Sequence, residues 1–264
     1  MIFMKILNWN ISYSCNIEKI CNEIENNILN SSFIITLQEV IPSSYEYIRE
    51  RFCRVAKFFY SLNNRKPGKF DTKSRKLGVL LILSKDIDII EADVCHRCLL
   101  PERTLFATIK YNNHELKIIS LHSITGCDHK KAKSIQFYSF AEFIDSYKPD
   151  ILTFDANEPA KDHYEIKNMQ FFDNKDKGLG AKTFFNIINE MELMDSFIHK
   201  YDNCEFHENQ PLTISHFVGV KKEPKRYDFM FLNKQIDVLF AKYEMEKSLA
   251  ASSDHSYIIA ELKI

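Results

Sequence analysis

Nothing in the 264 residues amounts to a long hydrophobic run, and no apolar stretch approaches the roughly 20 residues that a membrane-spanning helix needs. Repeats, low-complexity tracts and polar linkers are missing as well, which argues for one domain spanning 1–264. Excess charge of one sign is also lacking. The 35 Lys and Arg against 36 Asp and Glu leave a net charge of -1, so no strong global field draws the chain to polyanions or membranes. The opening stretch MIFMKILNWNIS has no basic n-region, no long apolar h-region and no small-residue cleavage site. It reads as a first strand rather than a signal peptide, and the expected setting is cytoplasmic, with no obligate protein partner evident.

Cysteine is present but unpatterned. Seven residues, an odd number scattered along the chain, argue against a disulfide framework and fit a reducing compartment. Cys95 and Cys98 form one C-x-x-C, the spacing of half a zinc knuckle or of a redox pair. With no second C-x-x-C to complete a four-ligand site, free thiols are the reading.

What is there is a series of short apolar runs: KILNW, FIITL, LGVLLIL, LFATI, LKIISL, DILTF, DFMFL, IDVLF and YIIAEL. Many are rich in β-branched residues, and several are bounded by Asn, Asp, Ser or Gly, so they read as strands. Helical patterns lie between some of them. Ile17, Ile20, Cys21, Ile24 and Ile28 recur at three- and four-residue spacing, a second stripe runs from Ala132 to Phe143, and AKTFFNIINEMELM predicts a third helix. Several strands are joined by links too short for a crossover helix, as at YNNH. The expected sheet is therefore mixed and largely antiparallel, covered by helices in an α/β layered sandwich.

The apolar runs share one feature: a polar or charged residue at one end. KILNWN ends on Asn10, IITLQE on Glu39, IISLH on His122, and ILTFD on Asp155 with Asn157 two residues on. Asp228 precedes FMFL, and Asp254 and His255 precede SYIIAEL. If neighbouring strands run up and down, these groups collect at one rim. Hard oxygen donors such as Glu39, Asn10 and Asp254 suit Mg²⁺ or Mn²⁺ rather than zinc. Two histidines beside carboxylates suit proton transfer near neutral pH. A divalent ion, a base and several donors around one point is what hydrolysis of a phosphate ester demands, because negative charge builds on the nonbridging and leaving oxygens.

In this order LNWNI, LQEV, GVLLILSK, SLHS, DAN, RYDFMF and SDH resemble the motifs of the endonuclease/exonuclease/phosphatase superfamily, the DNase I-like enzymes, over the whole length of the chain. The resemblance implies a four-layer α/β sandwich with two mixed, largely antiparallel sheets packed face to face and flanked by helices. It also implies roles. Glu39 resembles the main metal ligand, with Asn10 beside it and Asp254 in support. His255 resembles the residue that works with a carboxylate, here Asp228, to activate water or stabilise phosphoryl oxygens. Asp155 and Asn157 resemble the pair that orients the nucleophile and the scissile phosphate. His122 matches DNase I-like and sphingomyelinase-like members, where apurinic endonucleases usually carry a tyrosine. Phe154 departs from the usual glycine before Asp155. Glu102 sits in the region of the glutamate that orients the first histidine in DNase I, and Arg103 is a candidate phosphate contact.

The basic stretches at 65–76, 130–133 and 221–226 border the predicted site. Lys73, Arg75, Lys131 and Arg226 are therefore candidate substrate contacts, with Phe70, Phe217 and Tyr227 nearby to stack on bases. The expectation is a Mg²⁺- or Mn²⁺-dependent intracellular nuclease acting on DNA or RNA by in-line attack of an activated water. The same loops equally suit a phosphoinositide, a sphingomyelin-like lipid or another small phosphate ester.

Overall fold

Each apolar run forms the strand its pattern predicts, and the polar residue that ends it decides where the site lies. The computed structural model describes residues 3–28, 31–65, 76–126, 130–172, 176–200 and 210–264. It opens with β1 (Phe3–Asn10), α1 (Ile17–Ile28), β2 (Ser32–Val40), α2 (Pro42–Phe52), β3 (Ala56–Tyr60) and the single turn α3 (Ser61–Asn64). Next come β4 (Gly78–Ser84), β5 (Asp88–Asp93), β6 (Thr104–Tyr111), β7 (His114–His122), α4 (Lys130–Tyr147) and β8 (Ile151–Asp155). They are followed by α5 (Leu179–Glu190), β9 (Met194–Asp195) and α6 (Ser196–Lys200). The last elements are β10 (His216–Val218), β11 (Glu223–Lys225), β12 (Asp228–Leu232), β13 (Asp237–Glu244), α7 (Met245–Ala250) and β14 (Tyr257–Lys263).

Among the described residues the strands make two six-stranded sheets, ordered β13-β14-β1-β2-β4-β3 and β5-β6-β7-β8-β12-β9, and a two-stranded ribbon, β10-β11. Only β1–β2 and β7–β8 pair in parallel, so both sheets are mixed and largely antiparallel. The short link YNNH is the hairpin between β6 and β7. Asn112 and Asn113 both take positive φ, 47° and 70°, as a twist-matched two-residue turn requires. No helix among the described residues is long and apolar enough to cross a membrane.

Three apolar layers hold the sandwich together. Between the sheets lie Met4, Ile6, Ile34, Val79, Leu81, Ala107, Ile118, Ile151, Met230 and Ile258. The outer face of the first sheet packs on α1 and α2 through Leu7, Ile20, Ile24, Ile35, Ile48 and Ile82. The outer face of the second packs on α4 and α5 through Ile119, Phe137, Phe140, Phe154, Phe184 and Phe229. Helix α1 starts where the Asn16 side chain caps the Lys19 amide, and its buried Ile20, Cys21, Ile24 and Ile28 keep the helical spacing.

Side chains alternate across a strand, so each inward face can be read separately. Along β1 it runs Met4, Ile6, Asn8, Asn10; along β2, Ile34, Thr36, Gln38; along β7, Leu116, Ile118, Ser120, His122. Along β8 it runs Ile151, Thr153, Asp155, and backwards along β12, Leu232, Met230, Asp228. Every face passes from apolar to polar in the same direction. The parallel pairs end, and the antiparallel β12 and β14 begin, at the same rim. A polar layer sits between core and rim, where Gln38 Nε2 joins Asn8 Oδ1 at 2.8 Å and Ser120 Oγ at 3.1 Å across the two sheets.

Candidate active site

The rim gathers the strand-end residues into contact. Asn10 Nδ2 donates to Asp155 Oδ2 at 2.8 Å, a bond that crosses from one sheet to the other. Asn157, held at φ 49°, donates its backbone N–H to Asp155 Oδ1 at 2.9 Å and its side-chain amide to Ser123 O at 3.1 Å. Beside Asp155 in register stand His122 on β7 and Asp228 on β12. His255 donates through Nδ1 to Asp228 Oδ2 at 2.9 Å, and Trp9 Nε1 holds the His255 carbonyl at 2.9 Å. Ser253 Oγ ties this last segment to Asn10 O at 2.7 Å.

Glu39 arrives by a local irregularity. The β2–β4 register shifts between Leu37 and Val40, and Glu39 takes a positive φ of 59°. Such a bulge re-aims one side chain, and backbone strain of this kind at a non-glycine persists where the surroundings impose it. Val40 returns to the outer apolar layer while Glu39 is left at the rim. Its Oε1 lies 3.6 Å from His122 Nε2, and its Oε2 accepts the Tyr13 amide at 3.1 Å.

The two histidines differ in charge. His122 is buried against Arg103, whose guanidinium meets Nδ1 and lies 3.2 Å from Nε2. Burial first and that guanidinium second hold His122 well below the ordinary histidine range, so it is neutral. With Nδ1 facing an arginine donor, the ring proton belongs on Nε2, which points at Glu39 and at Asp155 Oδ2, 3.6 Å away. For His255, burial opposes the charged form, but Asp228 and Asp155 outweigh it and push the imidazole up to about 10. His255 is therefore an imidazolium at neutral pH. The Asp155 carboxyl is raised, by burial first and by Asp228 also, against the lowering effect of His255.

Two observations fit a divalent cation at this rim. Asp228 Oδ1 is buried without a hydrogen-bond partner, and Asp155 is a buried carboxyl that a nearby positive charge would relieve. The donor set is oxygen-rich, as Mg²⁺ and Mn²⁺ prefer. Asp155, Asp228 and His255 offer ligand atoms within 4.8 Å of one another, and so do His216, Asp254 and His255. Asp254 is the most exposed member, with 62% of its side chain open to solvent, and its Oδ2 lies 4.0 Å from His216 Nδ1.

Neither a protein-family model nor a curated protein matches the chain. Solved structures do. The 3′ phosphatase NExo from Neisseria bound to a product DNA hairpin is 16% identical at a TM-score of 0.69, over 99% of this chain and 100% of that one. D. rerio TDP2 complexed with a single-strand DNA product is 14% identical at 0.66, over 99% of both chains. An endonuclease/exonuclease/phosphatase from Bacteroides vulgatus is 15% identical at 0.64, over 100% of both. This is the endonuclease/exonuclease/phosphatase fold. Phe154, where the resembled motif has glycine, is buried. It faces the outer layer, stacked on Phe229 and Phe231 at 5.3 and 5.8 Å, while Asn157 supplies the left-handed turn.

Several candidate substrate contacts of the endonuclease/exonuclease/phosphatase fold stand elsewhere than their charge suggests. Arg226 is fully buried, bonded to Asp195 and to the Tyr243 hydroxyl at 3.0 Å, and stacked on Phe229 with 4.6 Å to the ring centre. It is structural: from the link between β11 and β12 its side chain packs on Phe229 and pairs with Asp162 and Asp195. Tyr227 is buried too and cannot stack on a base. Arg103 is buried against His122 rather than displayed at the surface. Lys133 of the 130–133 stretch is buried between Glu158, at 2.9 Å, and the Asn157 carbonyl, at 2.7 Å, where it props the Asn157 turn. Lys131, Lys221 and Lys222 are exposed, and Lys73, Arg75 and Phe70 lie outside the described residues.

One site residue escaped the sequence reading. His216, at the base of the β10–β11 ribbon, stacks on His255 with ring centres 4.2 Å apart, and its Nδ1 donates to Asp254 O at 3.0 Å. Burial and the positive charge of His255 keep it below the ordinary histidine range. The signal was faint, a lone histidine after Ser215 in a segment without an apolar run.

Proposed function

We propose that the protein is a divalent-cation-dependent phosphodiester hydrolase whose substrate is a nucleic acid. The observation that carries this reading is the Asp155 carboxylate, fixed by Asn10 and Asn157 and set in register between a neutral histidine and an Asp228–His255 imidazolium pair. Asp155, with a raised pKa, is suited to take the proton of an attacking water. His255 is suited to sit against a nonbridging phosphoryl oxygen, where its charge meets the charge that develops during attack. His122 would donate from Nε2 to the same phosphate, and Asn157 would fix its orientation. The water oxygen forms the new bond to phosphorus as the ester oxygen opposite it departs in line and takes up a proton.

Glu39, Asn10 and Asp254 would hold Mg²⁺ or Mn²⁺ beside this set. Bound there, the ion supplies positive charge to a phosphate oxygen and lowers the pKa of water. The nucleic-acid assignment draws on exposed Lys131 at the start of α4, on Lys221 and Lys222 at the tip of the β10–β11 ribbon, and on the DNA products carried by NExo and TDP2. The five described cysteines are free thiols, which supports a cytoplasmic setting.

The test is a parallel assay of DNA, RNA, an inositol phosphate and bis(p-nitrophenyl) phosphate with Mg²⁺, Mn²⁺ or EDTA. The proposal expects metal-dependent cleavage of an oligonucleotide, with rates rising with length up to about ten nucleotides and falling steeply with salt, because each phosphate gripped releases counterions. Faster, length-independent turnover of an inositol phosphate or lipid would transfer the site to a small phosphate ester.

A further inference from the structure

We infer that His216 is a positioning residue that sets the ring plane of His255, and that Ser215 and His216 together clamp the Asp228–His255 pair. The inference rests on the reading of that pair as the charged element of the site. Contacts from both of these residues converge on it. Ser215 Oγ accepts the amides of Tyr227 and Asp228 at 2.7 and 3.1 Å, fixing the backbone that carries the carboxylate. Ser215 O accepts the Ser256 amide at 2.7 Å, fixing the backbone that carries the histidine. His216 and His255 are bridged through their backbones, and their rings stack at 4.2 Å with 24° between planes. His216 Nδ1 is itself anchored by the Asp254 carbonyl at 3.0 Å, so the stacking ring cannot swing freely.

The physical need for such a clamp follows from where His255 sits. It lies just before β14 rather than inside the strand, and its one backbone bridge is to His216. Among the described residues its ring is held by the bond from Nδ1 to Asp228 at 2.9 Å, and a single bond leaves the imidazole free to rock about it. A flat, anchored ring against one face removes that freedom and also keeps water off the face of a charged group, where it would weaken the pair. Only 19% of the His216 side chain is exposed, as befits a wall of the site rather than a surface residue.

Two variants separate positioning from mere folding. His216→Ala removes the stack and the anchor, whereas His216→Phe restores a flat ring of similar footprint. With bis(p-nitrophenyl) phosphate and Mn²⁺, His216→Ala should lower kcat about tenfold or more with KM within about twofold, as loss of a group orienting a reacting residue does, and His216→Phe should recover most of it. A second readout is independent of turnover. The His255 Nδ1–H resonance, seen by ¹H–¹⁵N NMR in the whole protein with EDTA, should survive in wild type and His216→Phe and exchange-broaden in His216→Ala. A resonance that persists unchanged in His216→Ala, a Phe variant as impaired as Ala, or a raised KM with intact kcat would overturn the inference. Should the wild-type protein hydrolyse no phosphodiester, the proposed function falls, and the NMR comparison still decides whether His216 positions His255.

Discussion

Asn10 and Asp155 belong to different sheets and are joined by a 2.8 Å hydrogen bond between buried side chains. That bond fastens the two halves of the sandwich at the place where both change from apolar to polar. It also orients Asp155 by a group from the opposite sheet, so the geometry of the site depends on how the sheets face each other. Everything proposed for the rim follows from that closure.

Metal binding is expected to centre on Glu39, the carboxylate that the β2 bulge turns to the rim. Glu39→Gln should lose most of the affinity for Mn²⁺ measured by titration calorimetry while keeping the wild-type circular dichroism spectrum. Unchanged affinity in the folded variant would move the ion to the Asp155, Asp228 and His255 donors.

Stability should carry the signature of His255. Its folded-state pKa, pushed up to about 10 from the usual 6.5, means that the folded protein holds a proton which the unfolded chain releases. The resulting stabilisation is fully present below about pH 6.5 and is lost as pH rises through about 10. In EDTA, the melting temperature of wild type should therefore exceed that of His255→Gln by a margin that shrinks steadily between those limits. A margin independent of pH would mean that His255 is not charged in the apo protein.

Arg226 should behave as a core residue. Replacing it with Met leaves Asp162 and Asp195 as buried carboxyls without their cation, a loss of about 3–5 kcal/mol in urea unfolding. The salt dependence of oligonucleotide binding should not change. Normal stability with weakened binding would return Arg226 to the substrate surface.

Among the histidines, His122→Ala and His255→Ala should each lower turnover by on the order of a hundredfold or more. His96 is exposed, His114 starts β7 at the end remote from His122, and His163 bonds within its own loop to the Glu165 amide at 2.9 Å. Alanine at these three should leave kcat near wild type. Equal losses at all five positions would indicate a shared effect on folding.

How much of this was legible in the sequence depended on burial. The nine apolar runs and the three helices were readable because their periodicity is the pattern of core contact, and the strand-end residues were readable because a polar residue closing such a run stands out. The edge strands β3 and β5 went unread, since an edge strand is half exposed and DIIEAD has no apolar run to show. Helix α2 was missed because only Ser44, Ile48 and Phe52 are buried on it, a stripe too sparse to mark a helix. Charge misled at Arg226 and Lys133, where a basic stretch in sequence resolves into exposed lysines and buried, paired cations. His216 needed the third dimension, because it meets His255 across 39 residues of chain only through a bridge between strand ends.

The most direct test of the account is the rate at which the protein cleaves a DNA oligonucleotide of about ten nucleotides in Mn²⁺, with and without Asp155→Asn. The substitution keeps the shape and the buried position and removes only the carboxylate's charge and basicity, so the variant should fold normally. The account predicts cleavage by wild type that EDTA abolishes, and a loss of roughly 10²–10³-fold in Asp155→Asn. Cleavage by a folded Asp155→Asn protein at the wild-type rate would contradict it.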